Sequence, residues 1–199
     1  MDRSVCAAAL RAADKASGIE GYAATFNELS VVLYGMFREE IAPGAFRNTL
    51  GDDIRSLWNH NTDLPLARTT NGTLRLAEDE TGLAIAADLP ETSWGRDALI
   101  SIGRRDVTQM SFAFDVIEDD WREDDLGQLI RRLLNVKLYE VSPVTFPAYP
   151  TTTVGLRSIP SRAPKWVTER MAGSRGVPLS VRRRQVQLMS YAPSLALPR

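Results

Sequence analysis

The chain has 199 residues, 44% apolar and 25% charged, the make-up of a soluble globular domain long enough to bury its own core. One cysteine, Cys6, excludes an internal disulfide, and a single histidine beside it leaves no His/Cys set for a metal. The net charge of −1 conceals an asymmetry: residues 160–199 hold eight Arg and Lys against one acid, while the first 159 hold sixteen against twenty-four, so an acidic body precedes a basic tail.

Residues 1–18 read as a polar, alanine-rich leader. Arg3 and Arg11 interrupt it too early for a signal peptide, and no run nears the roughly 18 apolar residues of a membrane helix. A cytoplasmic protein with no membrane contact is expected. "IEGYAATFNEL" (19–29) is β-like, with Tyr22 and Phe26 as candidate buried residues. In "REEIAPGAFRNTL" (38–50), Pro43 suits a first helical position, and Phe46 and Leu50 lie four apart. That spacing predicts a short helix from Pro43 to Leu50, stopped by Gly51. "DIRSLWNHN" (53–61) runs from apolar to polar, a strand entering a loop. In 73–90, Leu74 and Leu76 alternate, Glu78 to Gly82 supply a turn, and Leu83, Ile85 and Ala87 alternate again: a hairpin.

The period changes over 91–106. Trp94, Ala98 and Ile102 recur every four residues, with Thr92 or Ser93 to cap the start and Gly103 just past the end, which predicts a helix. Over 107–121 the period returns to two. Met110, Phe112, Phe114 and Val116 share one face of a strand, and Ser111, Ala113 and Asp115 the other. "EDDLG" (123–127) is a turn, and 128–150 is a long β-like run ended by prolines. Beyond Arg157 the chain is rich in Pro, Arg and Ser without a sustained period, with a short helix near 181–189 the one candidate element. The organisation expected is a leader (1–18), one domain (19–157) and a flexible basic tail (158–199). The fold expected is mainly β with peripheral helices (α+β), an antiparallel barrel, since no βαβ rhythm is present.

Phosphate loops, dinucleotide fingerprints, zinc-protease helices and nucleophile elbows are all absent from the sequence. The chemistry that remains is His60, Ser111 and Glu140. His60, between Asn59 and Asn61, is either a turn residue or the chain's one imidazole base. Ser111, mid-strand, is either a small solvent-facing residue or a nucleophile held on a rigid element. Glu140 has the parity of Val136, Leu138 and Val144, a costly setting for a carboxylate unless it is paired. It is either an edge residue bonded to Lys137 or an arginine, or the carboxylate that orients an imidazole. Asp63, Asp88 and Asp115 are open alternatives for that third role. Cys6 has no base close in sequence and makes a poor nucleophile.

Taken in order, "GYAATFN", "EEIAPGAF", "LWNHN", "LRLAEDETGLAIAADLP", "QMSFAFDV" and "LYEVSPVTFPAYP" resemble the HK97-type caudoviral prohead serine proteases, over about Gly21 to Thr153. The resemblance implies a serine endopeptidase that removes scaffold segments from the capsid precursor, acting inside the assembling procapsid in the host cytoplasm. It implies the barrel of the herpesvirus assemblins, and no cofactor or metal. It matches His60 of "WNH" and Ser111 of "MSF" to the family's catalytic pair. The assemblins use a second histidine, which this chain lacks; either an acid replaces it or the site works as a dyad, and Glu140, on the strand where the resemblance places a third partner, is assigned to the role. The partners implied are the major capsid protein precursor and its scaffold segment, with a homo-oligomer a further possibility and nucleic acid ranked below them. The basic tail would bind acidic scaffold or another copy's body, or be trimmed by self-cleavage. The competing reading is a non-enzymatic capsid-assembly protein that keeps the fold.

Overall fold

A computed structural model describes residues 11–12, 18–33, 35–145 and 165–173. Among these described residues nine strands and two helices follow in order: β1 (Arg11–Ala12), β2 (Gly18–Thr25), β3 (Phe37–Ile41), β4 (Arg55–Trp58), β5 (Asn61–Arg68), β6 (Leu74–Glu78), β7 (Gly82–Asp88), α1 (Ser93–Gly103), β8 (Gln109–Glu123), β9 (Leu129–Val144) and α2 (Lys165–Gly173).

The fold is mainly β, as the alternating patterns predict. The described strands form two open sheets rather than a closed antiparallel barrel. One sheet has the order β1-β2-β7-β6; in the other, β9 lies between β8 and the strands β3 and β4, with β5 outside β4. The hairpins are antiparallel, but β9 pairs with both β3 and β4 in parallel. The reason is length. β9 is 16 residues long, and antiparallel β8 takes one edge along its whole run. The opposite edge has room for β3 beside Leu129–Leu133 and for β4 beside Glu140–Val141. Parallel pairs need long connections, and the chain between β4 and β9 provides one.

The core lies between the sheets. Ile19 and Ala24 of β2 and Leu83 and Ile85 of β7 meet Phe112 of β8 and Leu138 and Val141 of β9. From α1, Ala98 and Ile102 join them, and Thr92 caps that helix by accepting from the Gly95 N–H, as its spacing predicts. The hairpin read over 73–90 forms with Leu76 opposite Ile85.

Residues 43–50 make successive turns instead of the predicted helix. Gly44 sits at φ +88°, outside the helical region, and the bonds that follow run i to i+3, as from Arg47 N–H to the Gly44 carbonyl. Phe46 is nonetheless fully buried, stacked on Phe26 and edge-on to Phe112. The stretch read as an aperiodic tail contains α2, whose Val167 is buried with Phe37, Trp121 and Leu129 at the far end of the β8–β9 hairpin. The helix expected near 181–189 lies outside the described residues.

Candidate active site

Leu57 and Trp58 end β4, and the chain must reverse at once, because Trp58 already pairs with Asn61. The two residues between them, Asn59 and His60, lie at φ +51° and +59°. Positive φ at both centres is the signature of the tight hairpin turn whose twist matches its strands. Asn and His are among the few non-glycine residues that tolerate this region. The turn is stitched to the end of β9. The Asn59 N–H donates to the Pro143 carbonyl at 3.0 Å, and Asn59 Oδ1 accepts from the Thr145 N–H at 2.9 Å.

That anchoring sets His60 over β9. Its Nδ1 bonds the Oε1 of Glu140, eighty residues away in sequence. The imidazole is about a third exposed and the carboxylate nearly buried, at 32% and 10%. The second carboxylate oxygen, Oε2, accepts the hydroxyl of Ser142, a residue with no exposure. Ser142 in turn faces Ser111 across the β8–β9 ladder, and Ala113 faces Glu140. Directly opposed residues share a sheet face, so Ser111, Ser142 and Glu140 line one surface and His60 leans onto it.

The register also corrects the parity read for Glu140. Between Ala113/Glu140 and Phe114/Leu138, β9 spends one residue more than β8: Tyr139 is a bulge. The alternation therefore resets. Val136, Leu138 and Val141 stay on the core side with Phe112 and Phe114, while Glu140 turns to the Ser111 side. Val144 shares its parity with Glu140, but Val136 and Leu138 do not share its face. Nor, among the described residues, is Glu140 bonded to Lys137 or an arginine. Lys137 stands over the Tyr139 ring at 5.5 Å, and Arg55, level with Glu140, reaches Asp53 at 3.1 Å.

The other acids weighed for the third role are engaged elsewhere or exposed. Asp88 binds Arg75 at 2.7 Å, Asp115 accepts the Tyr139 hydroxyl at 2.8 Å, and Asp63 is exposed on β5. His60 Nε2 is buried and makes no hydrogen bond among the described residues, so Ser111 Oγ is not bonded to it. Ser111 is itself buried, at 5% exposure. Ser142 escaped the sequence reading. The signal was present in Glu140-x-Ser142, since residues two apart on a strand share a face.

At the base of the same hairpin, Asp53 accepts from Arg68 at 2.6 Å, and this bond above all holds its carboxyl down to about 2. Hydrogen bonding to Asp115 pushes the Tyr139 phenol up. A groove of about 660 Å³ runs beside β4 and β5, floored by Leu57, Pro65, Leu66, Leu89 and Pro90; His60, Ser111 and Glu140 do not line it. Among the described residues no three His, Cys, Asp or Glu side chains gather as a metal site, and no helix is long and apolar enough to cross a membrane.

A strand-borne serine, an imidazole and a carboxylate are the groups that a serine peptidase uses. Residues 6–163 match the family model of the caudovirus prohead serine protease, and the chain belongs to that family. It is 33% identical to the prohead protease of Enterobacteria phage HK97 over 134 residues, 65% of this chain and 55% of that one. The chain thus spans about half the length of this relative. No solved structure matches.

Proposed function

We propose that the protein is a serine endopeptidase that cleaves the capsid precursor and its scaffold segment inside the assembling prohead. The observation that carries this reading is the bond from His60 Nδ1 to Glu140, made on the strand that pairs with the one bearing Ser111. With Nδ1–H donated to the carboxylate, Nε2 keeps its lone pair and can act as a base. Ser111 Oγ attacks the scissile carbonyl carbon while its proton passes to Nε2. The C–N bond then breaks, Nε2 gives the proton to the leaving amine, and water hydrolyses the acyl-enzyme by the same steps in reverse roles. Glu140 fixes the tautomer and stabilises the imidazolium. Catalytic hydrogen bonds often close only around substrate, so the lack of a Ser111–Nε2 bond is compatible with this chemistry.

Backbone N–H groups would hold the oxyanion. Residues 147–148, which the sequence offers as a candidate source of these donors, lie outside the described residues. In this reading residues 19–157 carry the peptidase and the basic segment after them carries it into the shell, by attraction to acidic scaffold or to another copy.

The test is co-expression with the cognate capsid precursor, followed by mass spectrometry. Wild type yields truncated precursor and Ser111→Ala leaves it whole; identical products from both would mean a non-enzymatic assembly protein. Glu140→Gln is expected to lower kcat by about ten-thousandfold, the usual consequence of losing a triad's orienting acid. A loss below about tenfold would point to a Ser-His dyad.

A further inference from the structure

The two oxygens of Glu140 have different partners. Oε1 meets His60 and Oε2 meets the hydroxyl of Ser142. Ser142 is fully buried and sits directly across the ladder from Ser111. A carboxylate rotates about its terminal bond over a broad, two-fold well, so a single contact to His60 does not by itself fix its plane. The second contact does. It also satisfies lone pairs that would otherwise be desolvated without a donor, at a site where Glu140 has only 8% exposure.

We propose that Ser142 is a positioning residue of the peptidase: by donating its hydroxyl to Glu140 Oε2 it locks the carboxylate plane and aims Oε1 at His60. The inference rests on Glu140 acting as the orienting acid. It separates the roles of two neighbouring buried serines. The Ser142 proton is committed to a carboxylate, which holds that hydroxyl in a structural bond, while the Ser111 hydroxyl is the one left to be drawn to the imidazole among the described residues. In this role Ser142 acts through Glu140, the residue its hydroxyl bonds.

The chain's single histidine provides a readout that a merely structural serine would not move. In Ser111→Ala protein, which cannot cleave itself, the far-downfield imidazole proton bonded to Glu140 gives one assignable NMR resonance. Ser142→Ala should shift or broaden it, and in the active protein should lower kcat by about ten- to a hundredfold, the usual cost of removing a supporting partner. KM should stay within about twofold. Ser142→Thr keeps a hydroxyl and should recover most of the activity. An unmoved resonance with unchanged kcat in folded Ser142→Ala overturns the proposal. So does Ser142→Ala as inactive as Ser111→Ala with its imidazole resonance in place, which would make Ser142 the attacking group. Glu140→Gln is measured alongside. If it leaves activity intact, the reading of Glu140 fails first; if it abolishes activity while Ser142→Ala leaves both kcat and the imidazole resonance unchanged, only the role of Ser142 fails.

Discussion

Asn59 and His60 hold backbone angles that most residues avoid at a cost of about 1–2 kcal/mol each. Asn59 offsets part of that cost by bonding β9 twice, through its N–H and its side-chain oxygen. The two contributions separate by substitution. Asn59→Gly keeps the left-handed turn and loses the Oδ1 bond, and should cost about 1 kcal/mol. Asn59→Ala loses the bond and adds backbone strain, and should cost about 1–2 kcal/mol more. Urea unfolding checks the difference; equal midpoints for the two variants would mean that the turn carries no strain. Residue identities in this region were legible from scarcity, because one histidine can occupy only one role. Ser142 was not legible, because a small buried serine on a strand leaves no mark until its neighbour across the ladder is known.

At the scale of elements, local periodicity served well where one element packs one face. It found α1, the β6–β7 hairpin and the apolar side of β8. It failed where something interrupts the period. Gly44 replaces a helix with turns, and the Tyr139 bulge inverts the faces of β9 before its last five residues. β3 went unread: its adjacent acids Glu39 and Glu40 break any apolar alternation, yet both are buried beside Arg131 and Arg132. α1 gives a prediction in which propensity and packing disagree. Gly to Ala within a helix ordinarily gains up to about 1 kcal/mol. Gly103, with nothing within 4 Å of an added methyl, should follow that rule. Gly95 should reverse it, because its methyl would lie 2.1 Å from the Pro90 carbonyl oxygen. Gly95→Ala should therefore lose about 1–3 kcal/mol. Thermal unfolding of the two variants decides it, and a stabilised Gly95→Ala would contradict the packing described.

For the whole molecule, β9 is the member that β3, β4 and β8 all pair with, and its two ends do different work. Near Glu140 it carries the candidate site. Near Leu129 it carries Arg131, buried under the Trp121 ring and bonded to Asp119 at 2.6 Å and Glu39 at 3.4 Å. Removing that cation should cost about 3–5 kcal/mol, because the acids around it stay out of water. About nine residues of strand, roughly 30 Å, separate it from Glu140. Arg131→Met should therefore lower the unfolding midpoint while kcat per folded molecule stays within about twofold. A large fall in kcat at full folding would show that the two ends are coupled. Little of this level was legible in the sequence. Charge asymmetry marked the body from the basic segment, but parallel pairing joins distant stretches and writes no local period.

The span between His60 and Glu140 has a temporal meaning. During synthesis the imidazole and Ser111 emerge well before the carboxylate, and a contact across eighty residues closes late because so much loop must be drawn in first. On the proposed reading, a growing chain holds a base without its orienting acid, and only docking of the final described strand arms it. The order of translation would thus act as a safety catch, keeping a nascent peptidase from cutting itself or its neighbours before its own fold is complete.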